Sequence, residues 1–322
     1  MSRNNPILYI VIPCYNEEQV LPHTNPMFVG KIEELVKNQE IHPQSKVMYV
    51  NDGSKDKTWE FIQEYASSNP YVVGISQSRN RGHQSSVLAG MYEAAEFADI
   101  VITIDADGQD DINCMDQMVA EYKDGSEIVY GVRDNRDTDS AFKRITAEGF
   151  YKVMQLFGAD VVFNHADYRL VSKRFIHELA KFKEVNLFLR GIMPLVGFKY
   201  SYVTYKRHER IAGESHYPLS KMFGLAMDGI TSLSIKPIRL ITSLGVMTSL
   251  FSFLLIIWVL WSKFSGTVVA GWASTYAIVS LLGGVQLISL GVIGEYIGKI
   301  YLETKQRPRY IISDRTYDES DE

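Results

Sequence analysis

The chain has 322 residues and a formal net charge of −5, without the basic stripe that a nucleic-acid-binding surface needs. Its length allows one α/β domain with an appended segment. Cys14 and Cys114 are the only cysteines, which excludes a disulfide framework and fits a reducing compartment. Residues 1–6 carry no apolar core behind a basic region, so we expect no cleaved secretory signal.

The first part of the chain alternates short β-branched runs with segments of helical period. The runs predict strands at Ile7–Ile12, Lys46–Val50, Val72–Ile75 and Ile100–Ile104. Helical segments such as Trp59–Ala66 and Val87–Ala95 follow them. This βαβ series predicts an α/β fold with a mostly parallel, Rossmann-like sheet and helices on both faces.

Each predicted strand ends in a cluster of polar residues. The clusters are Pro13-Cys14-Tyr15-Asn16-Glu17-Glu18, Asn51-Asp52-Gly53-Ser54, Asn80-Arg81-Gly82 and Asp105-Ala106-Asp107. Ligands of such sheets lie beyond the carboxyl ends of the strands. We therefore expect the clusters to converge on one crevice.

Asp105 and Asp107, with Gln109 close behind, offer oxygen ligands in a short loop after a buried strand. Hard cations such as Mg²⁺ or Mn²⁺ bind one or two carboxylates and complete their shell with phosphate oxygens and water. An exposed acidic turn is the plain alternative for an Asp-x-Asp sequence. The three neighbouring polar strand ends favour a divalent-metal site made by Asp105, Asp107 and Gln109.

Asp52 and Glu17 each have two candidate roles. Asp52 could accept hydrogen bonds from a nucleobase or cap the helix that follows it, although Asp56 is better placed for the cap. Glu17 could bond a ribose hydroxyl or cap the next helix. The sequence does not separate the two roles of Glu17.

Two later segments carry no formal charge, from Leu240 to Trp261 and from Trp272 to Gly294. Each is long enough to cross a hydrocarbon core of about 30 Å, which takes roughly 20 helical residues. Buried helices of a soluble domain are the alternative, but they normally carry a polar stripe, which Leu250–Trp261 lacks. We predict a transmembrane hairpin at 240–298, with helices at 240–261 and 272–294.

Basic residues predict the orientation of this hairpin. Only Lys263 lies between the two helices, whereas Lys236, Arg239, Lys299, Lys305, Arg307 and Arg309 flank them. Residues 1–239 and the tail 299–322 should therefore face the cytosol of a multi-pass cell-membrane protein. The segments at about 142–156 and 218–233 are predicted to be amphipathic juxtamembrane helices in the interface. The acidic tail from Ser313 is predicted to be disordered.

A longer series of motifs resembles family 2 glycosyltransferases. The series contains the four strand-end clusters, the first extended back to Ile12, the third back to Arg79 and the fourth forward through Gly108-Gln109-Asp110. It also contains two further motifs, Ala166-Asp167-Tyr168-Arg169-Leu170 and Ala212-Gly213-Glu214-Ser215. The match covers about Pro6 to Lys305, including both apolar segments. Within the family the chain is similar to the polyprenyl-phosphate glycosyltransferases, the group of bactoprenol glucosyltransferase and dolichyl-phosphate mannose synthase. Gly108, Asp111 and His216 differ from the residues usual there.

The resemblance implies a GT-A fold, a UDP- or GDP-sugar donor held with Mg²⁺ or Mn²⁺, and inversion at the anomeric carbon. With it, the predicted donor contacts are Pro13, Tyr15, Asn16, Glu17, Asp52, Ser54, Arg81, Asp105 and Gln109. Asp107 is assigned to catalysis together with Asp167, which stands at the family's catalytic-base position.

Asp167 has other candidate roles. A lipid phosphate has a second pKa of about 6, so it is largely a dianion in the cytosol and needs little deprotonation. Asp167 could therefore orient the nucleophile or stabilise a positive sugar instead of acting as a base. An ion pair with Arg169 that only holds a loop is the structural alternative. The histidines, among them His83 and His165, lack zinc-site spacing and are interpreted as ordinary polar residues.

Basic residues supply candidates for the acceptor phosphate, because guanidinium groups bind phosphate through a bidentate fork. The predicted phosphate ligands are Arg144, Arg169, Arg207 and Arg210. The predicted reaction moves one glucose or N-acetylhexosamine from a UDP-sugar to undecaprenyl phosphate and releases UDP, for modification of a cell-envelope glycan.

Other interpretations stay open. The same motifs fit GDP-mannose with dolichyl phosphate, or a non-catalytic membrane protein that binds nucleotide-sugar. A processive polysaccharide synthase is disfavoured because no Gln-x-x-Arg-Trp motif occurs. Glycines at 283, 284, 291 and 298 fit close helix packing and hence a homo-oligomer. The resemblance suggests a tetramer, and a flippase is a candidate partner.

Overall fold

A mixed sheet of eight strands organises the described part of the chain. The computed structural model describes residues 3–133, 165–185, 188–206, 231–232, 234–265 and 271–317. The strands are β1 (Leu8–Cys14), β2 (Lys46–Asn51), β3 (Val72–Gln77), β4 (Ile100–Thr103), β5 (Ile128–Arg133), β6 (His165–Ser172), β7 (Tyr200–Tyr205) and β8 (Ile312–Arg315). They lie in the order β7-β5-β6-β4-β1-β2-β3-β8, and all but β6 and β8 run in one direction. The predicted mostly parallel sheet is confirmed.

Helices cover both faces of this sheet. They are α1 (Leu21–Lys37), α2 (Thr58–Ser68), α3 (His83–Phe97), α4 (Cys114–Lys123), α5 (Lys173–Leu179) and the short α6 (Leu189–Ile192), which continues as a 3₁₀ turn at Met193–Val196. In β1, Leu8 and Ile10 pack in one core with α1, and Tyr9 and Val11 pack in the other with α3. Burial on both faces explains why β1 is a continuous apolar run without polar alternation.

Two long helices follow the sheet domain. They are α7 (Lys236–Phe264) and α8 (Trp272–Lys305), and each contains a stretch apolar and long enough to cross a membrane. Both overrun the predicted boundaries, 240–261 and 272–294, because the helices continue past the uncharged stretch into charged residues such as Glu295 and Lys299. None of the residues in their most apolar windows is buried by the rest of the chain.

Residues 313–317, the described part of the tail predicted to be disordered, are ordered instead. Residues Ile312–Arg315 form β8, which pairs antiparallel with the edge strand β3. Thr316 adds two bonds to one residue of β3: its amide donates to the Gly74 carbonyl at 3.0 Å, and its hydroxyl accepts from the Gly74 amide at 2.8 Å. The chain therefore leaves the sheet domain, forms the helical hairpin and returns to the same sheet.

The end of α8 contacts both the residues just before α7 and the sheet domain. Near the start of α7, the Ser234 carbonyl accepts a hydrogen bond from the Tyr296 hydroxyl at 2.5 Å, and Ser232 accepts one from Lys299 at 3.0 Å. Near the end of α8, a Glu303 carboxylate oxygen accepts from the Val185 amide at 2.8 Å. The beginning and the end of the hairpin therefore lie on the same side. The predicted interfacial segments, 142–156 and most of 218–233, lie outside the described residues.

Candidate active site

The loops after β1 and β2 bind one another at the carboxyl edge of the sheet. The Asn16 amide donates to the Ser54 hydroxyl at 3.0 Å, and the Asn16 side-chain oxygen accepts from the Lys55 amide at 2.9 Å. Asn16 has a φ of 56°, a left-handed conformation that Asn tolerates better than most residues. Tyr15 is exposed beside them. These contacts give the predicted donor residues a fixed platform.

Asp52 fastens the next loop along the edge. It is buried, and its two carboxylate oxygens accept hydrogen bonds from the Arg81 and Gly82 amides at 2.7 and 2.9 Å. Asp56, which the sequence favours as the α2 cap, accepts from the Thr58 amide at 3.1 Å. The N-cap position itself is Lys57, which makes no side-chain cap bond. Asp52 is thus the anchor of the loop from Ser78 to Gly82, and its predicted contact with a nucleobase stays a prediction.

The same loop comes too close to Gly53 to admit a side chain there. A Cβ on Gly53 would lie 2.6 Å from backbone atoms of Arg79 and Asn80, and Gly53 has a φ of +62°. The Nε atom of Arg81 is buried without a hydrogen-bond partner among the described residues. Buried donors normally find an acceptor. The predicted donor contact Arg81 therefore brings an unused N–H to this edge of the sheet.

The acidic sequence Asp105–Gln109 forms a tight turn beyond β4. The Gln109 amide donates to the Asp107 carboxylate at 3.1 Å, and Gly108 has a φ of +68°. A left-handed residue in this turn accounts for a glycine at position 108, because side chains disfavour that backbone region. Burial raises the pKa of Asp105, and the nearby charges of Asp167, Asp110 and Asp107 add to the rise, although His83 opposes it.

His83, interpreted from the sequence as an ordinary polar residue, lies between two of the predicted site carboxylates. Its Nε2 atom is 3.6 Å from an oxygen of Asp105 and 3.6 Å from an oxygen of Asp167. Burial alone would lower the pKa of His83, but Asp167 and Asp105 outweigh it and raise that pKa above its usual value. The interpretation of His83 from the sequence is therefore corrected, because the β3–α3 loop carries it into the site.

Asp167 is the centre of a charged cluster. Its carboxylate pairs with Arg169 from its own strand and with Arg190 from α6, whose Nη2 and Nε atoms lie 3.0 and 3.3 Å from the two carboxylate oxygens. Burial alone would raise the pKa of Asp167, but Arg190, Arg169 and His83 hold it well below its usual range. Asp167 is therefore a carboxylate anion at neutral pH.

Arg169 does not fit the predicted contact with an acceptor phosphate. Its side chain is fully buried and pairs with Asp167. Arg190, which the sequence analysis did not single out, is about one-third exposed and pairs with both oxygens of the same carboxylate. The other predicted phosphate ligands, Arg144, Arg207 and Arg210, lie outside the described residues.

A second acidic residue, the buried Asp110, connects the acidic turn to neighbouring strands. The Tyr205 hydroxyl donates to Asp110 at 2.6 Å, and Arg133 lies 3.5 Å from the same oxygen. This triad joins the acidic turn to the ends of β5 and β7. Little in the sequence indicates the triad, because its three residues are far apart in the chain and meet only through the strand order.

Helix α6 positions Arg190 through a contact with α3. The Leu189 amide donates to the Gln84 side-chain oxygen at 2.8 Å, so the residues next to His83 and Arg190 are bonded to each other. The ends of β4 and β6, together with helices α3 and α6, bring Asp105, Asp167, His83 and Arg190 into one cluster. A mostly parallel α/β domain with an acidic turn beyond β4 is the arrangement of GT-A-like glycosyltransferases, here followed by a two-helix apolar hairpin.

Comparison with known families agrees with this assignment. Residues 9–180 match Glycosyl transferase family 2, and residues 236–300 match the GtrB C-terminal hairpin. The chain therefore belongs to glycosyl transferase family 2.

Individual relatives align over nearly their whole length. The uncharacterized glycosyltransferase YkoT of Bacillus subtilis (strain 168) is 46% identical over 99% of this chain and 95% of its own. The bactoprenol glucosyl transferase of Shigella phage SfX is 38% identical over 95% of this chain and 98% of its own. Among solved structures, the mannosyltransferase PcManGT from Pyrobaculum calidifontis, in complex with GDP-Man and Mn²⁺, aligns at 14% identity with a TM-score of 0.41, over 94% of this chain and 86% of that chain.

Proposed function

We propose that this glycosyltransferase transfers a single sugar, glucose or N-acetylhexosamine, from a UDP-sugar to undecaprenyl phosphate at the cytosolic face of the cell membrane. The proposal is carried by one observation: the chain that contains the Asp105–Asp167 cluster also contains an apolar hairpin, and the two ends of this hairpin lie close to one another. Similarity to bactoprenol glucosyl transferases over 94–95% of the chain supports a polyprenyl phosphate as the acceptor. The flanking basic residues support the cytosolic side.

The donor would lie across the strand-end loops. The predicted contacts Tyr15 and Asn16 belong to the platform after β1. At the loop after β3, Arg81 offers a buried Nε–H that has no hydrogen-bond partner within the described part of the chain. A guanidinium group is well suited to a diphosphate oxygen, because the charge on each partner shortens and strengthens the hydrogen bond. This arrangement supports a nucleoside diphosphate-sugar as the donor without selecting its base.

The acidic turn fits a divalent cation. The carboxylate of Asp105 carries the repulsion of Asp107, Asp110 and Asp167, which a bound cation would relieve. The described residues contain no group of three or more His, Cys, Asp or Glu side chains that could hold a metal. Mg²⁺ and Mn²⁺ need fewer protein ligands when diphosphate oxygens complete the shell. Asp105, Asp107 and Gln109 would hold the cation, which would offset charge on the departing diphosphate.

Asp167 is better suited to electrostatic work than to taking a proton. A general base works best when its pKa lies near the working pH, whereas the arginine partners hold the pKa of Asp167 far lower. A phosphate acceptor, already largely a dianion, makes little demand for a base. We therefore assign Asp167 to holding Arg190 and His83 in place and to stabilising positive charge that develops on the sugar.

In the proposed step, an oxygen of the acceptor phosphate forms a bond to the anomeric carbon of the donor sugar. The bond from that carbon to the diphosphate oxygen breaks, and its electron pair leaves with UDP. Attack from the face opposite the leaving group inverts the anomeric configuration. Arg190, about one-third exposed beside Asp167, is placed to bind an anionic phosphate, because guanidinium groups bind phosphate through a bidentate fork.

The test uses the purified full-length chain in detergent with undecaprenyl phosphate, Mn²⁺ and a panel of radiolabelled UDP- and GDP-sugars. We expect labelled lipid from one UDP-sugar, and we expect its loss in Asp107→Ala. Asp124→Ala, which removes an acidic side chain at the end of α4, is the matched control and should retain transfer.

Other results would change the proposal in defined ways. Transfer from GDP-mannose to a polyprenyl phosphate would retain the reaction and replace the donor. Nucleotide binding that depends on Asp107, with no transfer from any donor, would overturn the proposal in favour of a membrane-tethered binding protein.

A further inference from the structure

The returning strand β8 connects the membrane hairpin directly to a strand of the candidate site. Residues 306–311 alone separate the end of α8 from β8. In β8, Arg315 lies opposite Ile75, Asp314 opposite Ser76 and Ile312 opposite Gln77. These contacts lie at the carboxyl end of β3, immediately before the loop that leads to His83.

This loop is held from two directions. At its beginning, the Ser78 amide donates to the Ile311 carbonyl at 2.9 Å. At its end, the Arg81 and Gly82 amides donate to Asp52. Between these anchors the loop carries Arg81, and directly after them comes His83. The positions of both side chains therefore depend on one anchor within the sheet domain and on another from the chain that leaves α8.

Side chains at the end of β8 and directly after it also contact α3, the helix that His83 begins. Arg315 pairs with Glu93, and the Tyr317 hydroxyl donates to the same carboxylate at 2.9 Å. The ring of Tyr317 meets Phe97 edge-on at 5.7 Å between centroids. The returning segment thus contacts both elements that flank the β3–α3 loop.

We propose that β8 is a positioning element, through which the cytosolic end of α8 sets the geometry of the β3–α3 loop and so of Arg81 and His83. Without β8, β3 would pair only with β2 and would become the edge of the sheet. Segments with few bonds to their neighbours open locally at low free-energy cost, so the end of β3 and the loop after it would open more easily. The proposal rests on the proposed function only where sugar transfer serves as a readout. The link between β8 and the loop is testable without turnover.

The first measurement is hydrogen–deuterium exchange of the full-length chain in detergent. Thr316→Pro removes both the amide that donates to Gly74 and the hydroxyl that accepts from it, whereas Thr316→Val removes only the hydroxyl. Asp314→Ala, which changes an exposed side chain of β8 and leaves its backbone bonds, is the matched control.

We expect amides in residues 72–83 to exchange about tenfold faster in Thr316→Pro, less so in Thr316→Val, and at the parental rate in Asp314→Ala. Exchange in β1 and β4 should stay at the parental rate in all three. Parental exchange of 78–83 in Thr316→Pro would overturn the proposal. So would acceleration of all strands together, because β8 would then stabilise the whole sheet without a specific effect on the loop.

The second measurement is the KM for each substrate in the transfer assay. In Thr316→Pro we expect the KM for the nucleotide-sugar to rise about tenfold while the KM for the lipid phosphate stays within about twofold. Equal increases for both substrates, or none, would count against a role in positioning the donor loop. If the parent transfers no sugar, the proposed function fails, and the exchange rates still decide whether β8 positions the loop.

Discussion

At the scale of single residues, the site depends on how one carboxylate is shared. Asp167 compensates Arg169, which is fully buried, and also holds Arg190, which is partly exposed. Losing a partner from a buried ion pair leaves an uncompensated charge, which costs far more than losing an exposed partner. Changes on the two sides of Asp167 should therefore affect stability and activity differently.

We predict that Asp167→Asn reduces transfer about 100-fold or more, because electrostatic stabilisation is lost, and destabilises the domain by about 3 kcal/mol. The stability loss follows because Arg169 keeps its charge in a buried site. The assays are kcat and thermal unfolding of the purified chain. Arg190→Gln is the comparison: it should also impair transfer but cost roughly 1 kcal/mol or less, since the Asp167–Arg169 pair remains. Equal destabilisation by both variants would contradict this division.

The lowered pKa of Asp167 also predicts a pH dependence. Its folded-state pKa lies below the unfolded value of about 3.9, so its contribution to stability is present above that value and is lost as pH falls through the folded pKa. The stability difference between the parent and Asp167→Asn should therefore be constant from about pH 5 to 6 and should shrink below about pH 4. It should also decrease as pH rises through the raised pKa of His83, because a neutral His83 no longer pairs with Asp167. The measurement is the unfolding midpoint of both proteins across this range. A difference that already decreases between pH 6 and 5 would show that Asp167 titrates near neutrality.

At the scale of secondary-structure elements, the interlocked loops after β2 and β3 allow a steric test. Gly53→Ala places a Cβ 2.6 Å from backbone atoms of Arg79 and Asn80 at a φ of +62°. We expect a loss of about 2 kcal/mol or more in unfolding free energy and weaker nucleotide binding, because neither backbone yields easily. Gly30→Ala is the control, since a Cβ on Gly30 in α1 would have no neighbour within 4 Å, and alanine favours a helix. Unchanged nucleotide affinity in Gly53→Ala would show that the loop spacing does not shape the donor site.

The elements differ in how well the sequence predicts them. The strands β1–β4 are predictable because burial on both faces makes each a continuous apolar run. Strand β8 was missed because half its residues are charged and its partner, β3, is more than 200 residues away, as the Ser313 hydroxyl bonded to the Ser76 carbonyl shows. A short edge strand needs little apolar character when only its backbone is paired.

The candidate site could be predicted only in part, because some of its residues follow predictable strands and others do not. Asp105, Asp107 and Asp52 follow predictable strands, so their convergence could be inferred from the parallel sheet alone. His83 and Arg190 have no distinguishing local pattern, and they reach Asp167 only because α3 and α6 pack beside it. A histidine directly after the Arg79–Gly82 cluster was the one available signal.

At the scale of the whole molecule, the hairpin exposes a larger continuous apolar surface than is usual for a soluble protein. Large side chains on α7 such as Leu250, Phe251 and Trp261 are 61%, 62% and 75% exposed. Continuous exposed apolar surface of this kind marks contact with lipid or with another protein. The return of β8 to the sheet domain then constrains the topology, because both ends of the hairpin must be on the side of that domain.

We therefore predict that Ser265, at the end of α7, and Asp314, in β8, lie on opposite sides of the membrane. Single cysteines at these exposed positions would be labelled in intact cells by a membrane-impermeant maleimide. Ser265→Cys should react without permeabilisation and Asp314→Cys only after it. The native cysteines should give little background, since Cys14 and Cys114 are buried and burial raises the pKa of the Cys114 thiol to about 11, which disfavours the reactive thiolate.

The parent, labelled before and after denaturation, measures that background and the total thiol content. If both introduced cysteines react only after permeabilisation, the two helices do not span the bilayer, and the hairpin instead lies along its cytosolic surface. If both react in intact cells, the sheet domain faces outward, where cytosolic nucleotide-sugars cannot reach it, and the proposed donor would be excluded. Reaction of Ser265→Cys alone places the Asp105–Asp167 cluster on the same side as the cytosolic nucleotide pool, because β8 and that cluster belong to one sheet.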